Sequence, residues 1–396
     1  MKLQTLELRA YAKLNLFLDI TGRRADGYHE LKTVMQSVSI YDELTFTLTE
    51  GAGLELSCDR GDLPVNDDNL VVKGIKAVLN YAYFQPGCKI SVRLKKRIPS
   101  GAGMGGGSAD CAAAIIAMNE LFHLELTRDE LIAAAKMCGA DVPFCVTGGT
   151  ALCEGIGEKI TPLPSPDELI FAVVKPSQSI STPAAYKSFD TKGKPAAGDC
   201  DGFAAALESG SADRIGSKLY NAFTAADEPV YIERIKSSLI RCGAYGAEMT
   251  GSGSAVFGVF NKNERDTAEL AVRGVPRSCS ESGVLFGEVC RPVPHGVEIV
   301  QPNKPDDTPE ELRAFRGKYL DPARTADITK HLPQIKHCAA CFDRVSDEPL
   351  LSRRIWYITP ERDGALCEKC FDELRDKLDI KATDGGIEYD ADTEWY

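Results

Sequence analysis

Five of the seven residues from Gly101 to Gly107 are glycine (Gly101, Gly103, Gly105, Gly106, Gly107), and the run closes on Ser108 where a helix-forming stretch begins. Backbone amides without side chains in the way can approach an anion closely, and the positive end of a helix dipole favours negative charge there. Oligophosphate is therefore the natural ligand. No Lys-Ser or Lys-Thr pair follows the glycines, so this is not a P-loop, and the spacing is no clean dinucleotide fingerprint. A flexible linker fits poorly between the well-formed elements on either side.

Four cysteines near the C-terminus form a second grouping. Cys338-x-x-Cys341 and Cys367-x-x-Cys370 are close pairs separated by 25 residues. Each pair can grip one side of a tetrahedral metal while the intervening segment forms a hairpin, which predicts a structural Zn²⁺ in a zinc-ribbon-like module at about 330–380. His337 is an alternative ligand, and reduced thiols on two unrelated turns are the plain alternative. The segment between the pairs carries Trp356 and Tyr357, a contact surface for a protein partner. The other ten of the fourteen cysteines are scattered singly, as reduced thiols are.

The elements that position these groups show in the periodicity. From Leu6 to Ile20 every even position is apolar, the pattern of a long half-buried strand. Lys13 and Asn15 fall on its opposite face, away from the core, where a solvated strand face is the plain expectation. Gly22 and Asp26-Gly27 then turn the chain, presenting Tyr28 and His29. Ile90, Val92 and Leu94 alternate along a strand that runs through Lys96 into Pro99 and the glycine loop, and Ala109 to Phe122 reads as helix. A helix at Asp129–Cys138 ends at Gly139, with Asp141 two residues before Pro143; from the residues alone Asp141 divides evenly between catalytic carboxylate and helix N-cap. The prolines at 162, 164 and 166 precede the apolar strand Leu169–Val174, which puts a boundary near 160. Helical stretches follow through about 201–241, then a turn at Gly251-Ser252-Gly253 and a strand at Ala255–Phe260. Beyond about 290 the sequence turns Pro-rich and strongly charged. The expected domains are 1–160, 161–290 and an extension at 291–396.

Pro99-Ser100-Gly101-Ala102-Gly103-Met104-Gly105-Gly106-Gly107-Ser108 resembles the phosphate-binding motif of the GHMP kinases. Ala12-Lys13-Leu14-Asn15-Leu16-Phe17-Leu18, followed by Arg24-Ala25-Asp26-Gly27-Tyr28-His29-Glu30-Leu31, looks like the branch of that family acting on diphosphocytidyl-methylerythritol. Gly139-Ala140-Asp141-Val142-Pro143-Phe144 and the Gly251-Ser252-Gly253 turn complete the pattern, in order, over roughly residues 5–290. The resemblance implies an α+β, two-domain GHMP kinase fold with ATP and Mg²⁺ meeting an alcohol substrate in the cleft. It implies Asp141 as the general base, with Lys13 beside it holding the carboxylate ionised and offsetting phosphoryl charge. Asn15 would orient the substrate. Tyr28, His29 and Tyr186 would hold a cytosine ring, and Gly103 to Ser108 would hold the phosphates, with Asn69 and Lys96 on the adenosine side. Met104 and Ala109 stand where the family commonly has Leu and Ser, and Asn221-Ala222-Phe223 lacks an acidic residue often found there.

A chain of 396 residues predicts two or three domains, and its 43% apolar content can fill their cores. No run of about 18 apolar residues occurs, and Met1-Lys2-Leu3-Gln4 lacks a signal's apolar stretch, so the expectation is a cytoplasmic protein without membrane contact. A formal charge of −12 argues against nucleic acid as a partner. The implied partner is a cytidine diphosphate-linked polyol. The rivals are a GHMP kinase for another alcohol, such as mevalonate or homoserine, and a kinase-derived regulatory binding protein.

Overall fold

The structure, a computed structural model, describes residues 4–25, 27–192, 195–275 and 283–300 and two short strands at 381–383 and 386–388. It divides into one unit of Met1–His123 with Leu131–Val300 and another of Leu124–Glu130 with Gln301–Tyr396. In the latter, Lys381–Thr383 and Gly386–Glu388 pair as an antiparallel hairpin. Cys338, Cys341, Cys367 and Cys370, with His337, Trp356 and Tyr357, lie outside the described residues.

The first unit opens with strand β1 (Gln4–Arg23), which turns back as β2 (His29–Thr49); β3 (Gly53–Cys58), helix α1 (Leu70–Tyr81) and β4 (Lys89–Lys95) lead to the glycine loop and α2 (Gly106–Leu121). Next come α3 (Arg128–Lys136), α4 (Val142–Thr147), β5 (Thr150–Gly155) and β6 (Lys159–Pro162). The second half runs β7 (Leu169–Pro176), α5 (Thr182–Lys192), α6 (Cys200–Glu208), α7 (Ala212–Ser217), β8 (Tyr220–Asn221), α8 (Ala222–Ala226), α9 (Val230–Arg241), β9 (Ala247–Met249), β10 (Val256–Asn261), α10 (Arg265–Gly274), β11 (Val284–Cys290) and β12 (Val297–Val300).

Two sheets carry the α+β architecture. One has the order β12-β1-β2-β4-β3, with β5 on β2, β6 on β5 and β8 beside β1; the other has the order β11-β7-β10-β9. Because β12 pairs with β1, residues 297–300, beyond the change in sequence texture near 290, return to the sheet that the N-terminus began. All eight residues of β7 are buried, as expected for a strand covered on both faces. Small residues let α1 and α2 approach closely: a Cβ on Gly74 would lie 2.8 Å from the Cys111 carbonyl. The described cysteines are free thiols. Among the described residues no helix is long and apolar enough to cross a membrane.

One expectation is corrected. The face of β1 bearing Lys13 and Asn15 is not solvated: Lys13 is 3% and Asn15 2% exposed, as fully buried as Leu14 and Leu16 on the other face. Chain segments distant in sequence cover it. The glycine loop lies on Lys13, and Thr250, between β9 and β10, lies on Asn15.

Candidate active site

Lys13 and Asn15 stand between two irregularities in the pairing of β1 with β2, at Tyr11/Ala12 and at Asn15/Phe17, where Leu16 is the extra residue. Such bulges re-aim side chains locally. The Lys13 ammonium donates to Asn15 Oδ1 at 2.6 Å and lies 3.2 Å from Asp141 Oδ2. Asp141 occupies the N-cap position of α4, yet its side chain accepts no capping hydrogen bond. The N-cap alternative therefore fails, and the carboxylate is held by Lys13 instead. A third of the Asp141 side chain remains exposed, against 4% for Lys13, so the carboxylate forms the accessible end of the pair.

The glycine loop crosses this pair so closely that two positions tolerate no side chain. A Cβ on Gly105, at φ +71°, would lie 2.9 Å from Lys13 Cγ, and one on Gly103, at φ +75°, would lie 2.1 Å from the Thr250 carbonyl oxygen. Gly105 is also the N-cap of α2, so the loop's amides and the positive end of a 16-residue helix converge beside Lys13. A cradle that side chains would fill, at a helix N-terminus, fits an oligophosphate. The Ser108 hydroxyl, in the first turn of α2, is a hard oxygen of the kind magnesium takes alongside phosphate and water.

Behind the loop, the Lys96 ammonium is clamped between two carboxylates, Asp42 and Asp110, with Asp110 Oδ2 at 2.7 Å. Asp42 Oδ1 also accepts from the amides of Arg97 (2.5 Å) and Ile98 (2.8 Å), which ties the end of β4 to β2 just before the loop. Burial pushes the Asp110 carboxyl well above the usual carboxylate range, and the charge of Asp42 adds to this while Lys96 opposes it. Asn69 caps α1, accepting from Val71 N at 2.9 Å, and its amino group donates to Pro64 O at 2.7 Å.

On the other side the ring of His29 stacks on Tyr186, with centroids 4.6 Å apart and planes at 20°. One helical turn beyond Tyr186, Asp190 Oδ1 lies 2.8 Å from His29 Nε2, so α5 holds the imidazole by its face and by its edge. The hydrogen bond with His29 holds the Asp190 carboxyl below its ordinary range, and the charges of His29 and Arg23 add to the effect. Burial, with the Asp141 charge adding, pushes the Tyr186 phenol up to about 12, so it stays protonated across the working range. Tyr28 is 62% exposed at the rim.

Apart from the C-terminal cysteines, every site residue expected from sequence lines one cavity of about 1130 Å³. The structure adds groups the sequence did not single out: Thr33, Thr250, Asp42, Asp110 and Asp190. Of these only Asp190 had a usable signal, its i+4 spacing from Tyr186 on a helix-forming stretch. Among the described residues no cluster of three or more His, Cys, Asp or Glu could hold a metal ion.

The chain matches the GHMP kinases N terminal domain over residues 69–149 and the GHMP kinases C terminal domain over residues 203–280. It is 43% identical over 263 residues to the 4-diphosphocytidyl-2-C-methyl-D-erythritol kinase of Desulfitobacterium hafniense (strain Y51), covering 66% of this chain and 89% of that protein. It is 37% identical over 278 residues to the enzyme of the same name from Acetivibrio thermocellus, covering 70% and 96%. A crystal structure of 4-(cytidine 5'-diphospho)-2C-methyl-D-erythritol kinase superimposes with a TM-score of 0.58 at 29% identity, over 72% of this chain and 99% of that one. A homoserine kinase from Cytophaga hutchinsonii, at 20% identity and a TM-score of 0.60 over 75% and 97%, shares the fold.

Proposed function

The chain belongs to the GHMP kinase family, among the 4-diphosphocytidyl-2-C-methyl-D-erythritol kinases, and on that premise we propose that its cleft transfers the γ-phosphoryl group of ATP to the 2-hydroxyl of 4-diphosphocytidyl-2-C-methyl-D-erythritol, in the methylerythritol phosphate route to isoprenoid precursors. The observation that carries this is the contact of Lys13 with Asp141 at 3.2 Å directly beneath the glycine loop, in the cavity that also holds the His29–Tyr186 stack.

Asp141 accepts the proton of the substrate hydroxyl as its oxygen attacks the γ-phosphorus; the new O–P bond forms while the bond to the β-phosphate oxygen breaks, and ADP departs. Lys13, buried and fixed by Asn15, sets its ammonium beside the oxygens on which negative charge gathers. The amides of Gly103 to Ser108 hold the phosphates, and Ser108 would help to hold the accompanying Mg²⁺, which would supply positive charge against the phosphate oxygens. Lys96 and Asn69 line the adenosine side. Asn15 orients the polyol, and Tyr186, His29 and Tyr28 hold the cytosine ring far from the reacting centre. The deciding experiment is ADP release from ATP-magnesium with the cytidyl substrate, compared with mevalonate and homoserine. Turnover confined to the cytidyl substrate is expected. Turnover of another alcohol with none of the cytidyl compound overturns the assignment.

Replacing Tyr186 or His29 by Ala should act mainly on KM for the cytidyl substrate. A base stacked on an aromatic ring is worth about 1–3 kcal/mol, so a rise of roughly tenfold is expected, with kcat less affected. An unchanged KM in both variants would put the base elsewhere.

We assign Cys338, Cys341, Cys367 and Cys370, on their spacing, to one structural Zn²⁺. Four thiolates would supply a closed set of ligands, so the metal would be structural and would take no part in phosphoryl transfer. Elemental analysis should find one zinc per chain and lose it on truncation after Val300, a cut that leaves β12 paired with β1, with kinase activity kept. Metal-free full-length protein would defeat the assignment.

A further inference from the structure

The Lys13–Asp141 pair hangs from a hydrogen-bond chain whose direction is fixed at its far end. Thr33 Oγ1, on β2, lies 2.6 Å from the carbonyl oxygen of Phe17 and 2.9 Å from Asn15 Nδ2. A carbonyl can only accept, so the single Thr33 proton goes to Phe17, and the Thr33 oxygen is left to accept. The amino end of the Asn15 amide must therefore face Thr33, and its carbonyl end must face Lys13, at 2.6 Å. The backbone amide of Asn15 donates to Thr250 Oγ1 at 2.9 Å, and that hydroxyl reaches Gly103 O at 3.3 Å, so the same residue is pinned to the glycine loop. Thr33 and Thr250 are both fully buried.

We propose that Thr33 is a positioning residue for phosphoryl transfer: its hydroxyl sets which end of the Asn15 amide meets Lys13, and so fixes the ammonium against Asp141. With the amide reversed, an N–H dipole would point at the ammonium and push it away from Asn15. In the same reversal, Asn15 Oδ1 would face a hydroxyl whose proton is already donated, or Phe17 O would be left buried without its donor. The bulge at Leu16 brings the Phe17 carbonyl and the Asn15 amide to the same hydroxyl, so it belongs to this device. The inference rests on Lys13 and Asp141 as the reacting pair.

The test is steady-state kinetics of Thr33→Val, which keeps shape and loses the hydroxyl, with Thr33→Ser, with Asn15→Ala and with the Thr33→Val/Asn15→Ala double variant. Thermal midpoints are measured for each. The assay follows whichever alcohol the parent phosphorylates, so a wrong substrate assignment leaves the result readable, and Asp141→Asn run alongside reports on the pair itself. Displacing a reacting group by about 1 Å costs on the order of 10²-fold, so Thr33→Val should lower kcat by about tenfold to a hundredfold. The KM for ATP should stay within about threefold, because the phosphate cradle is made of backbone amides. Thr33→Ser should restore most of kcat, and in the Asn15→Ala background Thr33→Val should cost little more, because no amide remains to orient. If Thr33→Val gives no folded protein, Thr33→Ala takes its place in the series. The proposal is overturned by a kcat within twofold of the parent, by a serine variant as slow as valine, or by an equal loss in both backgrounds.

Discussion

Asp141→Asn is expected to cut turnover by on the order of 10²-fold or more while leaving ATP affinity nearly unchanged. Asn keeps the shape of the side chain and an oxygen that can accept from Lys13 across the present 3.2 Å, so the ammonium stays anchored between Asn15 and residue 141. What disappears is the group that takes up the substrate proton. ATP binding should be spared because the phosphate cradle consists of backbone amides from Gly103 to Ser108, whose position depends on Gly105 against Lys13 and Gly103 against Thr250 rather than on Asp141. The measurement is kcat by ADP release beside ATP affinity by calorimetry, with a melting curve to show that the fold is intact. Activity within a few-fold of the parent would remove Asp141 from the mechanism, and a large loss of ATP affinity would show that the carboxylate acts through the nucleotide.

The division between what the sequence disclosed and what it withheld follows the range of the forces involved. The apolar alternation from Leu6 to Ile20 predicts β1 because side-chain period is local, and the observed strand adds only a few residues at each end. The burial of Lys13 and Asn15 could not be read there, since what covers them is the loop at 103–105 and Thr250, brought in by tertiary folding. Turn chemistry at Gly105 and its steric need are visible as glycine, but not the reason: the side chain it must avoid is that of Lys13. Asp42 and Asp110 carry no signal, and Lys96 stands out only as an adenosine-side candidate, until the fold clamps its ammonium between the two carboxylates. Thr33 and Thr250 carry no signal at all, because the groups they serve are 18 and 235 residues away. The return of β12 to β1 was equally silent; a run of four residues is too short to announce that it pairs with the far end of the chain.

Gly103→Ala is expected to be nearly as damaging as loss of the base, for a steric reason. At φ +75° an L side chain is strained, which costs of order 1–3 kcal/mol, but the larger effect is contact: the added Cβ would lie 2.1 Å from the carbonyl oxygen of Thr250 and 3.0 Å from the amide nitrogen of Gly253. Both are backbone atoms, and they belong to one turn, since Gly253 N donates to Thr250 O at 3.0 Å. No rotamer change relieves the clash, so the loop and the turn must part. Parting them breaks the contact of Thr250 Oγ1 with Gly103 O at 3.3 Å and draws the phosphate-facing amides away from Lys13. A shift of about 1 Å in a reacting group is enough for on the order of 10² in kcat/KM for ATP. Gly53→Ala is the control, since Gly53 has φ +108° with nothing within 4 Å of the added Cβ and carries the backbone strain without the collision. It should lower the melting temperature slightly and leave kcat/KM for ATP unchanged. If Gly103→Ala behaves like Gly53→Ala, the loop is not held by its contact with Thr250, and the close crossing has no part in placing the phosphates.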